Sequence, residues 1–128
     1  MFISHAQPQA LGSIIVPTPG TPVALDSALI TAGIMVNNDT FPANKILIQA
    51  YGGAIGNPAL SGSPNAGNVY IGSKSMVRAT LAGVIKVLVP GEYWTITTNV
   101  ATNKYYLDKL YVDADHANDG VYGNADQN

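Results

Sequence analysis

Val84-Ile85-Lys86-Val87-Leu88-Val89-Pro90-Gly91-Glu92-Tyr93-Trp94-Thr95-Ile96, followed by Tyr105-Tyr106-Leu107-Asp108-Lys109-Leu110-Tyr111-Val112-Asp113-Ala114-Asp115, reads as strand, turn, strand, loop, strand. Ile85, Val87 and Val89 alternate with Lys86, the period-two pattern of a half-buried strand. Pro90 pre-sets φ for the second position of a turn, and Gly91 accepts the positive φ that a type II turn demands next. Beyond the turn, Trp94 and Ile96 share one face while Tyr93, Thr95 and Thr97 share the other. The Pro-Gly unit is therefore expected to close a hairpin. In the third segment Tyr106, Leu110 and Val112 alternate with Leu107, Lys109 and Tyr111. Aromatic and β-branched residues dominate throughout, so the predicted fold class is all-β, an antiparallel β-sandwich.

The 128 residues suit one domain, with a core that needs no covalent staple. Cysteine is absent, which removes disulfides and thiolate metal sites. Charged residues make up only 11% of the chain, against roughly 25% in an ordinary soluble domain. A surface so poor in charge suits a protein that packs against neighbours. The net charge is −2, and Lys45, Lys74, Arg78, Lys86, Lys104 and Lys109 are spread singly, so no nucleic-acid footprint is expected. No apolar run approaches the ~18 residues that cross a membrane, so no membrane partner is expected either. Met1-Phe2-Ile3-Ser4-His5 lacks the basic start of a secretory signal.

In chain order, residues 1–10 are expected to form an N-terminal arm, 11–122 a single β-sandwich domain, and 123–128 a loose tail. Ile14-Ile15-Val16 is a short strand that stops at Pro17-Thr18-Pro19-Gly20. From Val23 to Val36 a helix competes, through Ala24, Leu25, Ala28, Leu29 and Ala32, with Asp26 and Ser27 as caps. The β-branched residues Val23, Ile30, Thr31, Ile34 and Val36 favour two short strands, which is the reading adopted. Lys45 to Tyr51 is a strand, and Gly52 to Asn68 is a long Gly/Pro/Ser/Asn loop without phosphate-loop spacing. A loop of that length points to contact with a partner. The arm and the loop supply the expected contact residues: Phe2, Ile3, Gly52, Gly53, Ile55, Pro58, Leu60 and Pro64.

Little chemistry is on offer. Asp113, Asp115 and Asp119 suggest a calcium loop, but Ala117 offers no ligand at its third position and Asp126 is too short at its twelfth. A turn whose Asx side chains satisfy local amides is preferred. His116 next to this turn is read as a solvated histidine, and Glu92 is the only glutamate, so acid-base catalysis has few groups to use. No enzyme activity and no cofactor are expected. Tyr70, Tyr93, Trp94 and Tyr111 form the alternative, a carbohydrate-binding platform, although aromatics in a small β-domain more often serve the core and cross-strand pairs.

Gly67-Asn68-Val69-Tyr70-Ile71-Gly72, Leu88-Val89-Pro90-Gly91-Glu92, Leu107 to Asp115 and Asp119-Gly120-Val121 together resemble small β-rich structural proteins of tailed bacteriophages, of the decoration or cement type. The similarity covers about residues 67–121. The resemblance implies a jelly-roll-like sandwich in the virion, assembled in the bacterial host cytoplasm. It implies a homotrimer that clamps the major capsid protein. A head-tail junction or tail-fibre component is the second position the resemblance allows.

Overall fold

In a computed structural model, the described residues are 7–31, 42–43, 45–51, 65–97, 105–106 and 109–127. They form ten strands and one short helix. The strands are β1 (Gln7–Val16), β2 (Val23–Ala24), β3 (Pro42–Ala43), β4 (Lys45–Ala50), β5 (Val69–Val77), β6 (Ala82–Leu88), β7 (Tyr93–Thr97), β8 (Tyr105–Tyr106), β9 (Tyr111–Ala114) and β10 (Asp119–Gln127); the helix α1 spans Ser27–Thr31. One four-stranded sheet runs β1-β10-β4-β7, and a second runs β2-β9-β5-β6. A small ribbon pairs β3 with β8. All pairings are antiparallel, and they nest: β1 with β10, β2 with β9, β4 with β7, β5 with β6.

The nesting follows from where apolar side chains point. Along β4, Ile46, Ile48 and Ala50 are buried while the residues between them are not. The other sheet answers with Val69, Ile71, Leu88, Val112 and Ala114, and the two inner faces close on one core with Ile14, Val16, Leu25, Leu29 and Val121. Burying such a side chain contributes roughly 1.5–3 kcal/mol. The alternation is thus the main force that holds the sheets face to face.

Several expectations are corrected. Residues 7–10 are not part of an arm, because β1 begins at Gln7 opposite Gln127. The tail is not loose over 123–127. That stretch is the end of β10, lying between β1 and β4, and it is small rather than bulky because the strands approach closely there: a Cβ on Gly123 would run into the carbonyl of Leu47. Over the described residues 23–31, strand is confined to Val23–Ala24, and the competing helix forms at Ser27–Thr31. Leu25 and Leu29, four residues apart, bury on one side, and Ile30 N donates to Asp26 O at 3.0 Å. Residues 32–36 lie outside the described residues.

Pro90-Gly91 forms the expected turn, with Gly91 at φ 86° and Glu92 N donating to Val89 O at 3.0 Å. It does not close a hairpin, however. β6 and β7 lie in different sheets, and the turn carries the chain between them, tied to the end of β4 by Gly91 N to Ala50 O (3.1 Å) and Ala50 N to Glu92 O (2.9 Å). The face of β6 is inverted as well. Register sets Leu88 opposite Val69, so Leu88 points into the core and Ile85 and Val89 point out.

Candidate interaction surface

That inversion leaves an apolar edge. β6 is the last strand of its sheet, and four exposed large hydrophobic side chains lie on it or at the turns that flank it: Val77 (47%), Leu81 (52%), Ile85 (55%) and Val89 (51%); a fifth, Tyr93 (65%), opens β7 of the other sheet. The β5–β6 turn presents Leu81 at φ 63°, a region that bulky residues avoid at a cost of about 1–2 kcal/mol. An edge strand normally guards its open backbone with charge. Here the charge is already engaged: Lys86 Nζ lies 3.9 Å from Glu92 Oε2, and Glu92 Oε1 accepts from Val89 N at 3.0 Å.

Beside this edge a cleft of about 430 Å³ is lined by Gly20, Tyr70, Val77, Arg78, Asp113 and Asp115, among others. Arg78 spans two carboxylates, with Nε 3.3 Å from Asp113 Oδ2 and Nη1 2.9 Å from Asp115 Oδ1. Asp113 is buried and also accepts from Gly20 N (2.9 Å) and Ala114 N (2.8 Å). The Tyr70 hydroxyl donates to both Asp115 oxygens at 3.1 Å. Partial burial, and then the Asp115 carboxylate, push the Tyr70 phenol above its ordinary value. The cluster fastens the 17–20 loop and the β5–β6 turn to β9.

The third calcium candidate, Asp119, sits elsewhere. Its oxygens accept from Ala66 N and Gly67 N at 2.9 Å each, so this carboxylate fastens the distant loop end to β10 and does not satisfy the local amides expected of an Asx turn. The structure therefore separates Asp119 from Asp113 and Asp115, and each carboxylate is met by protein donors. Among the described residues no group of three or more His, Cys, Asp or Glu side chains stands where it could hold a metal ion. His116 is exposed, with its imidazole against Gly67. The four aromatics of the platform reading do not gather. Tyr70 and Tyr111 belong to β5 and β9 of one sheet, Tyr93 is exposed on β7 of the other, and Trp94 packs against the core.

Phe2, Ile3, Gly52, Gly53, Ile55, Pro58, Leu60 and Pro64 lie outside the described residues. The end of that loop is fixed, contrary to a loop that orders only on a partner: Asn65 is buried and Asn65 N donates to Tyr51 O at 2.9 Å. Arg78 was legible only as the one arginine of a charge-poor chain, and Val77 and Leu81 carried no signal as surface residues. The sequence matches no protein-family model, no curated protein and no solved structure.

Proposed function

We propose that this chain is a non-enzymatic structural component of a tailed-phage virion, most nearly a capsid decoration protein that binds the major capsid protein and stabilises the shell. The observation that carries the reading is the gathering of four exposed large apolar side chains, Val77, Leu81, Ile85 and Val89, along the β6 edge and its flanking turns. A protein that works alone in water has no use for such an edge, whereas a subunit of an assembly buries it. The nested strand order, with the first and last strands adjacent and successive pairs wound inside them, is what a jelly-roll winding gives. That supports the fold the resemblance implies. The ionisable groups of the cleft are spent on one another, which favours a bracing role over catalysis.

The test is co-sedimentation of the purified chain with heads of the tailed phage that encodes it, stripped of this protein. Saturable binding, with heads that resist heat better once coated, is the expected result. Failure to bind heads while binding purified tails moves the protein to the head-tail or tail-fibre position. Binding to neither overturns the virion role.

A further inference from the structure

We infer that a second copy of this chain covers the β6 edge, the two β6 strands meeting antiparallel across a two-fold axis. The inference rests on the reading of that edge as an assembly surface and names what covers it.

Three features point to a second copy. Among the described residues no strand lies on the far side of β6, so alternate N–H and C=O groups of its backbone face outward without a sheet neighbour. An identical strand satisfies them and continues the sheet. Next, every charged side chain between Val77 and Tyr93 is ion-paired within its own chain: Arg78 with Asp113 and Asp115, Lys86 with Glu92. Two such edges therefore meet without burying an unpaired charge, which would oppose association strongly. Lastly, the far edges of the two sheets offer no apolar counterpart among the residues of described exposure. On β1 from Ala10 onward only Ala10, Gly12 and Ser13 are exposed, and on β2 both Val23 and Ala24 are half-buried. A ring of three needs two different complementary surfaces, whereas a two-fold contact needs one that matches itself. Among the described residues, the apolar edge finds an apolar match when β6 meets β6. This replaces the homotrimer that the resemblance implies with a dimer.

Leu81 adds a separate handle. Its strained φ is a cost to the isolated chain, and the residue stays 52% exposed there. Burial against a second copy gives the leucine a use there, and Leu81→Gly removes the strain and the contact together.

The deciding experiment is light scattering on a sizing column over a range of concentrations. The wild type is expected at twice the 13.3 kDa chain mass. The double variant Ile85→Lys/Val89→Lys is expected to run as a folded monomer, while Ala10→Lys, at an exposed position of β1 on the edge of the other sheet, leaves the dimer intact. If the double variant does not fold, Leu81→Gly decides. It should melt no lower than wild type at low concentration yet dissociate roughly tenfold more readily. A wild type that stays monomeric, a wild type of three-chain mass, or a dimer that survives these edge variants each overturns the inference. Head binding is scored separately. A dimer that ignores heads leaves the two-fold contact standing and removes the virion role, and a monomer that binds heads does the reverse.

Discussion

Asn65 and Gly120 exchange two hydrogen bonds: Asn65 Nδ2 donates to Gly120 O, and Gly120 N donates to Asn65 Oδ1, both at 2.9 Å. A single side-chain amide thus acts as a short piece of strand for β10, at the point where the long loop returns to the sheet. Asn65→Ala leaves a buried N–H without its acceptor. The expected loss is about 3 kcal/mol, since an unsatisfied buried group costs roughly 1–3 kcal/mol beyond the bonds themselves. Asn65→Asp should do little better, because it sets an acceptor against the Gly120 carbonyl. Urea unfolding of both variants checks this, and a loss below 1 kcal/mol for Asn65→Ala would show that water takes over both bonds.

Gly123→Ala is expected to cost at least about 2 kcal/mol, because the new methyl meets the backbone carbonyl of Leu47 across the β10–β4 ladder and backbone cannot swing aside. Gly20→Ala makes the contrast. Gly20 has open space around it, and its penalty is limited to the positive φ of 93°, about 1 kcal/mol. Thermal melts that rank the two the other way would contradict the close approach of the strands.

Arg78→Met should destabilise by about 2 kcal/mol, because the buried Asp113 carboxylate keeps its two amide donors and loses its counter-charge. Arg78→Lys should restore only part of this, since a point charge cannot bridge Asp113 and Asp115 as a guanidinium fork does. In a double-mutant cycle with Asp113→Asn, the two changes should be clearly non-additive. Simple additivity would mean that the pair does not couple.

The Tyr70 and Tyr122 phenols are both raised above their ordinary value: Tyr70 by burial and then by Asp115, Tyr122 by burial and then by Tyr51. Below about pH 10 these tyrosines hold their protons in the folded and unfolded chain alike, so their contribution is fully present. Above it the unfolded chain ionises first, and stability falls as pH rises towards the folded values. Tyr70→Phe and Tyr122→Phe should each flatten the alkaline decline. An unaltered slope in both variants would assign the decline to other groups.

Much of the fold is legible because alternation is a local property. Trp94 and Ile96 share the core-facing side of β7 as their spacing predicts, and Pro90-Gly91 is the turn its residues demand. Alternation states which residues share a face and is silent on which face is buried. Ile85 and Val89 outnumber Leu88, yet the register with Val69 turns Leu88 inward. Turn chemistry is likewise silent on destination, because the Pro-Gly unit that closes a hairpin also serves to cross between sheets. The Gly123–Gln127 segment lacked bulky apolar residues, so its place between β1 and β4 depended on neighbours far away in the chain. The Arg78–Asp113 pair and the Asn65–Gly120 exchange are long-range contacts of the same kind, with no local pattern to announce them.

The claim that the β6 edge is a surface meant for burial is tested most directly by amide hydrogen exchange along Ala82–Leu88, read on dilute protein, concentrated protein and protein bound to phage heads. The expected result is slow exchange of the outward-facing β6 amides at high concentration or on heads, with the β1 edge unchanged. Equal exchange of β6 in all three samples would contradict the assembly role of this edge.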